Sequence, residues 1–459
     1  MNKTVAVILA AGEGKRMKSE KPKVLHEVLF KPMLDWVVDS AFQSGVADIC
    51  VVVGSSGDKI VSHLEKQGAK CGIVIQHERL GTGHAVMQAA EYIKNSEAED
   101  VLVLCGDAPL INSTIINSAY NEHKNSQNAV TVFSAEMEDP TGYGRIVRDG
   151  KKAAAIVEEK DATSEQKIIR EINAGAYWFK TAALLEALTQ IGNSNAQHEY
   201  YLTDTVGIIC SHGLSGGTFM VDKKYIAGAN DRKQLLELNN AARQMVFERL
   251  FEAGVSIVNE SGVVISPDTQ IGNDTEILPN TIIRGKTVIG KGCTIGPNSV
   301  IDSCVIGDCV VFNASQAKSS RIENGVTIGP FSNIRPNCIL HENAHVGDFV
   351  EVKNSEIGRG TKVAHLTYVG DSDVGGGVNF GCGVVTVNYD GMKKSRTTIC
   401  DNAFIGCNTN LVAPVTVGEG AYTAAGSTVT KDVPAGALAV ARSRQENLQG
   451  WVERRRPKK

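Results

Sequence analysis

The sequence predicts two folds joined by a helix: an α/β domain on a parallel sheet, followed by a parallel β-helix. Three observations carry the prediction. From residue 1 to about 228, apolar strand-like runs ("VAVILAAG", "DICVVVG", "GIVIQ", "DVLVLCGD", "AVTVFSAEM") alternate with helix-like stretches such as "MLDWVVDSAFQSG" and "HAVMQAAEYIKN". Near-continuous Val/Ile/Leu strands between helices belong to a parallel sheet covered on both faces, and ligands of such sheets sit at the carboxyl ends of the strands. From 230 to 251, Leu235, Leu238, Ala242, Met245 and Phe251 recur near the helical period, with Gly254 just beyond, which reads as a linking helix. After it the period changes to six.

Ile265, Ile271, Ile277, Ile283, Ile289, Ile295 and Ile301 stand six apart without a miss. Ile322, Ile328, Ile334, Leu340, Val346 and Val352 repeat the spacing, as do Ile399, Ile405, Leu411, Val417, Thr423 and Val429. Neither the helical period nor a heptad fits six; a hexapeptide repeat predicts a parallel β-helix. Each short strand is expected to turn a corner at the glycine that often follows, so three hexapeptides make a triangular coil with one aliphatic side chain per side pointing inward. At roughly 18 residues per coil, the stretch from Ile265 to Val429 makes about nine coils. Each stacked Ile or Val contributes about 1.5–3 kcal/mol on burial, against the entropy of ordering the strands.

The metre is expected to break after Val374, in "HLTYVGDSDVGGGVNFGCGVVTVNYDGMKKSRT", which gathers His365, Tyr368, Asn379, Asn388, Tyr389 and Lys394. "TVNYDGMKKSR" reads as a loop ejected from one corner, and loops on rigid scaffolds are where binding residues usually sit. A spacer or trimerisation rod is the plainer reading of the repeat, but a bare rod has no use for a break. The chain therefore divides into 1–229, a linking helix 230–251, the β-helix 252–440 and a basic tail 441–459.

A length of 459 residues suits two or three domains. The formal net charge of -4, with balanced acids and bases, gives no nucleic-acid footprint and no membrane-seeking surface. The first apolar run is too short to span a bilayer and lacks a cleavage pattern, so it reads as the first strand of a cytoplasmic protein. Eleven cysteines are scattered without a C-x-x-C pair, so neither a zinc site nor a disulfide frame is indicated.

"LAAGEGKRMKSEKPKVL" places Gly12 and Gly14 after the first strand, followed by Arg16 and Lys23. Two glycines let backbone N–H groups approach phosphate oxygens, and the two cations neutralise charge. The stretch is not a P-loop, and Met17 at the third glycine position excludes the dinucleotide fingerprint. "VLVLCGDAPL" ends a strand at Asp107, which reads either as a helix cap or as a ligand of Mg²⁺, an ion that takes one or two protein oxygens plus substrate phosphates.

"LAAGEGKRM", "PKVL", "LGTGHA", "GDAPL", "GYGRI", "VEEKDA", "EINAG" and "ANDR" occur in the order seen in sugar-phosphate nucleotidylyltransferases. With "HLTYVGD" and "VNYDG", nearly the whole chain resembles the bacterial bifunctional N-acetylglucosamine-1-phosphate uridylyltransferase/glucosamine-1-phosphate acetyltransferase family. The resemblance implies a Rossmann-like nucleotidyltransferase domain and a left-handed β-helix. It implies that Leu9, Ala10, Ala11, Gly12 and Gln76 hold the uracil side of UTP beside Gly81 and Thr82, and that Arg16 and Lys23 engage phosphates. Asp107 and Asn230 would hold Mg²⁺, and Gly144, Glu159 and Asn173 the sugar. His365 would be the general base of acetyl transfer, with Arg335, Lys353, Tyr368, Asn379 and Lys394 around glucosamine-1-phosphate. Asn388, Tyr389, Cys407, Ala425 and Arg442 would lie along the acetyl-CoA path, with the basic tail either solvated or near the CoA phosphates. Some relatives have Tyr at Cys105, Gln at Arg79 and Ser at Cys407. The family implies a homotrimer acting on glucosamine-1-phosphate, N-acetylglucosamine-1-phosphate, UTP and acetyl-CoA. A single-activity nucleotidylyltransferase with an oligomerising prism is the alternative; His365 with "VNYDG" argues against it.

Overall fold

The computed structural model describes residues 3–150 and 152–456; the last residues of the basic tail, 457–459, lie outside them. The chain packs as two compact units that divide between Gln244 and Met245. In the first, the sheet runs Gly216–Met220, Val130–Glu136, Glu171–Lys180, Asp100–Cys105, Thr4–Ala10, Asp48–Gly54, Gly72–Gln76. Alternate residues of each strand enter opposite layers: Val5 and Val7 join one apolar cluster, Ala6 and Ile8 the other, and all four are fully buried. Burial on both faces is why these strands read as unbroken apolar runs.

The sheet is mixed, not wholly parallel as expected. Glu171–Lys180 runs antiparallel between Asp100–Cys105 and Val130–Glu136, and it carries the hairpin Arg145–Asp149/Lys152–Val157 on its far end. "EINAGAYWFK" does not announce its direction, because direction is set by pairing partners and not by side-chain alternation. The other strands of the main path point the same way, so their carboxyl ends still converge.

The linking helix is Arg232–Glu252, closed by Gly254 at φ 79°. Its buried residues are Leu238, Ala242, Val246, Phe247 and Leu250, while Phe251 is exposed. The burying stripe follows the i, i+4 row and leaves Phe251 off it.

In the second unit, three parallel sheets of 11, 10 and 9 strands form the sides of a β-helix. In most two-residue strands the outward residue is at least partly exposed and the inward one buried, as in Glu276–Ile277 and Val288–Ile289. Ile265, Ile283 and Ile301 stack at steps of 18, but the next steps are 16 to Ala317 and 17 to Ile334. Five-residue sides such as Phe312 to Ala317 to Ile322 therefore separate the sixfold runs. Glycine serves two roles here, and the expected corner is only one of them. Gly272 and Gly290 follow inward isoleucines because a Cβ there would fall within 2.8 Å and 2.6 Å of the next coil's backbone. Left-handed corners fall to other glycines, including Gly285, Gly292, Gly296 and Gly329, and to asparagines, including Asn280, Asn298, Asn337 and Asn343, which tolerate positive φ best among residues with a Cβ.

The metre breaks later than expected. Val374, Phe380 and Thr386 keep it, and only then does the step lengthen: Ile357 to Val374 takes 17 residues, Val374 to Ile399 takes 25. The inserted residues lie between strands Val385–Val387 and Thr397–Ile399. Thr386 hides the register from an apolar pattern because it is an inward, fully buried threonine, its hydroxyl held by Gly370 N–H at 2.7 Å. His365 ends strand Lys362–His365 in an unbroken coil, not in the break itself.

Candidate functional sites

The carboxyl ends of Thr4–Ala10, Gly72–Gln76 and Asp100–Cys105 meet at a cavity of 420 Å³. It is lined by Leu9, Ala11, Gly12, Arg16, Lys23, Gln76, Gly81, Thr82, Asp107 and Asn230, all anticipated as site residues, by Arg79 and Cys105, noted only as departures from relatives, and by Lys15 and Glu199, which the sequence does not single out. Ala10 faces a neighbouring cavity of 440 Å³, and Arg79 borders both.

The glycine loop closes tightly over Lys23. Gly14 stands at φ 62°, and a Cβ there would fall 2.5 Å from Lys23 Cβ, so only glycine allows this approach. Lys23 is 9% exposed; its ammonium donates to the Asp107 carboxylate and, at 2.6 Å, to Asn230 Oδ1. A cation therefore lies between the two oxygens assigned to the metal, and hard oxygens that accept a cation fit a divalent ion as well. No cluster of three His, Cys, Asp or Glu able to hold a metal occurs among the described residues, so an ion here would complete its shell with substrate oxygens and water. Gln76 is buried, donating to Gly81 O at 3.2 Å and facing His84 Nδ1 at 3.1 Å. The Thr82 hydroxyl accepts from Leu202 N–H at 3.2 Å. Burial pushes the Cys105 thiol up to about 12, and it donates to Gly175 O at 3.3 Å.

Gly144, Glu159 and Asn173 form a separate group on the hairpin and Glu171–Lys180. Asn173 N–H donates to Gly144 O at 2.9 Å, and Asn173 Nδ2 to Tyr177 Oη at 2.6 Å. Glu159 accepts from Arg145 at 2.6 Å, which holds its carboxyl below the usual range. The carboxylate turned toward Gly144 is its neighbour Glu158, 3.4 Å from where a Gly144 Cβ would stand. Glu158 accepts from Thr203 Oγ1 at 2.9 Å, and burial pushes its carboxyl up. Two adjacent glutamates in "VEEKDA" hide which one faces inward until the strand before them is placed.

On the β-helix the anticipated residues fall into two groups. Asp371, 4% exposed, gathers Lys353 at 3.2 Å, Asn354 at 2.6 Å and the Asn388 amide, which also lies 3.4 Å from Tyr368 Oη. Burial pushes the Asp371 carboxyl up, but these donors outweigh it and hold it below the usual range. Lys394 lies beside Lys353, whose like charge holds the Lys394 ammonium below its ordinary range. Arg335 pairs with Glu351 at 2.9 Å. The second group follows one edge: two residues beyond the inward, register-paired Val363, Phe380, Ile405 and Thr423 stand His365, Cys382, Cys407 and Ala425. Arg442 continues it, its Cδ 3.7 Å from where a Gly426 Cβ would stand. Asn379 points outward between Lys362 and Phe404. Tyr389 is exposed in the inserted loop, donating to Gly391 O at 2.6 Å. Asp390 stiffens that loop by accepting from Met392 and Lys393 N–H at 2.8 Å each.

Residues 5–226 match the nucleotidyl transferase family model, and residues 268–303, 319–354 and 396–431 match the bacterial transferase hexapeptide model (six repeats). Over 456 residues the chain is 47% identical to the bifunctional protein GlmU of Geobacillus sp. (strain WCH70), covering 99% of this chain and 98% of that one. It is 49% identical over 456 residues to bifunctional protein GlmU of Thermoanaerobacter pseudethanolicus, covering 99% of each. Against that of Geobacillus thermodenitrificans the figure is 48% over 461 residues, covering the whole of both. No helix among the described residues is long and apolar enough to cross a membrane. With both family models matched in order and full-length relatives near half identity, the chain belongs to the bifunctional GlmU family, pairing a uridylyltransferase with an acetyltransferase on a left-handed parallel β-helix.

Proposed function

We propose that the prism acetylates glucosamine-1-phosphate with acetyl-CoA, and that the first domain then transfers UMP from UTP to N-acetylglucosamine-1-phosphate. The products are UDP-N-acetylglucosamine, a precursor for peptidoglycan and lipopolysaccharide, and pyrophosphate. The observation that carries this reading is the cavity at the strand carboxyl ends, where the glycine loop, two cations and the Asp107–Asn230 oxygens converge. We assign the functions to residues 1–229 and 252–440, with 230–251 as linker and 441–459 as tail, in a cytoplasmic homotrimer.

In the first site the sugar 1-phosphate oxygen attacks the α-phosphorus of UTP, and the bond to the β,γ-pyrophosphate breaks. Asp107 and Asn230 would hold Mg²⁺, which when bound would supply Lewis-acid neutralisation of the phosphates. Arg16 and Lys23 add positive charge along the triphosphate, and Gly12 and Gly14 leave the loop backbone free to approach it. Leu9, Ala10, Ala11, Gln76, Gly81 and Thr82 hold the base. Gly144 and Asn173 orient the sugar, and the inward-facing Glu158 joins them alongside Glu159.

In the second site a base must take a proton from the sugar ammonium before nitrogen attacks the thioester carbonyl and CoA leaves. His365 serves as that base. Arg335, Lys353, Tyr368, Asn379 and Lys394 surround the sugar phosphate, and Asn388, Tyr389, Cys407, Ala425 and Arg442 line the acetyl-CoA path. His365 follows one edge and the Lys353–Asp371 cluster centres on another, which suits a site completed between subunits of a trimer.

The test is a mass-spectrometric product assay with glucosamine-1-phosphate, acetyl-CoA, UTP and Mg²⁺, omitting one component at a time. Asp107→Ala should stop UDP-sugar formation while acetylation continues. His365→Ala should slow acetylation by about 10²- to 10⁴-fold with uridylyl transfer, assembly and melting temperature unchanged. Near wild-type acetylation by His365→Ala, or loss that tracks unfolding of the prism, would remove the base assignment.

A further inference from the structure

Lys23 occupies the place a divalent ion would take. Its ammonium donates both to Asp107 and, at 2.6 Å, to Asn230 Oδ1, and its side chain is only 10% exposed. The stem is wedged beneath Gly14, whose missing Cβ would stand 2.5 Å away. We propose that Lys23 is a resident cation that closes the Asp107–Asn230 pair to free divalent metal until a nucleoside triphosphate arrives. This deepens the metal assignment above and rests on it.

The reason is electrostatic. A divalent ion on the Asp107 and Asn230 oxygens would stand within a few ångströms of the Lys23 ammonium, and like charges so close in a half-buried site are strongly unfavourable. Entry of metal therefore requires Lys23 to leave. Of the other carboxylates around the loop, Glu13 is taken by Lys15 at 2.9 Å and by Arg79, and Glu199 lines the cavity beside Gly81; Lys23 is paired with neither. A triphosphate laid along Gly12 and Arg16 supplies a second anion. Metal and nucleotide thus enter together, and metal alone is held out.

The experiment is Mn²⁺ titration of the nucleotide-free, full-length protein by calorimetry and electron paramagnetic resonance. Lys23→Met should bind Mn²⁺ about 10-fold or more tightly than the wild type, whereas Lys23→Arg, which keeps the charge, should bind as weakly as the wild type. Adding Asp107→Asn to Lys23→Met should abolish the gain. Equal Mn²⁺ affinity in the wild type and Lys23→Met, both lost with Asp107→Asn, overturns the inference and leaves the metal assignment standing. A gain in Lys23→Met that survives Asp107→Asn removes the metal assignment and the inference together. Should Lys23→Met fail to fold, Gly14→Ala pushes the stem aside with the charge retained; it should also bind Mn²⁺ more tightly, and affinity equal to the wild type overturns the proposal.

Discussion

Arg79 spends its guanidinium on the loop that borders the nucleotide cavity. Nε donates to Ala11 O at 3.1 Å, one terminal nitrogen to the Glu13 carboxylate, and the other to Ser56 Oγ at 3.1 Å. It ties the end of strand Thr4–Ala10 to the loop after Asp48–Gly54, and this part of the backbone borders the cavity proposed to take the triphosphate. Arg79→Gln keeps a donor but loses the fork and the charge. The ion pair is partly exposed, with side chains 32% and 40% accessible, so the loss is set at about 1 kcal/mol, or roughly a five-fold rise in KM for UTP. kcat should change little, because the interaction is present before the transition state. Steady-state kinetics on both substrates decide it, and an unchanged KM for UTP would make Arg79 a bystander.

The coil is the unit that repeats, and charged side chains cross from one coil to the next on its outer faces. His341 follows inward Leu340, with Glu323 on the preceding coil at 3.1 Å and Glu356 on the next at 2.5 Å. Burial lowers its pKa, but the two carboxylates outweigh that and raise it above the ordinary histidine value. The sign follows: a folded-state pKa above the unfolded one adds stability that is complete below the unfolded value and is lost as pH rises through the folded value. His341→Asn should therefore lower stability by about 0.5–1 kcal/mol near pH 5.5 and by almost nothing near pH 9. Chemical denaturation of both proteins at the two pH values checks this. A pH-independent difference would mean that the ring acts by packing instead.

At the level of the whole chain, the two activities reside in two separately packed units, and where the chain is cut decides what each half retains. Ending it at Ala229 removes Asn230 together with its N–H donation to Gln234 at 2.7 Å, and also the Asn239 side chain that accepts from Leu29 N–H at 2.9 Å. Ending it at Gln244 keeps all three. A piece comprising residues 1–244 should run as a monomer on sizing and make UDP-N-acetylglucosamine at near full rate, and one ending at 229 should fall by at least about 10-fold through loss of the metal oxygen. The piece from 245 onward should be trimeric and acetylate. Equal turnover by the two N-terminal pieces would take Asn230 out of the site.

The β-helix was legible from Ile265 to Val429 because one inward side chain per side is a local rule: every rung repeats the same choice, so a period of six survives in the linear sequence. The glycine loop, Asp107 and the strand ends were legible for a related reason, since the chemistry of a phosphate site sits within a few residues of its strand. What pairs with what was not local. The antiparallel insertion of Glu171–Lys180, the inward Thr386 that delays the break in metre, and the choice of Glu158 over Glu159 as the carboxylate facing Gly144 each depend on a partner contributed by a distant part of the chain. The same is true of Lys23, whose partners Asp107 and Asn230 lie 84 and 207 residues away, and of the two edges that separate His365 from Lys353. Local period and residue type determine which elements form and which chemistry they carry; the packing of distant segments decides which atoms meet, because only there are charges desolvated and hydrogen bonds closed.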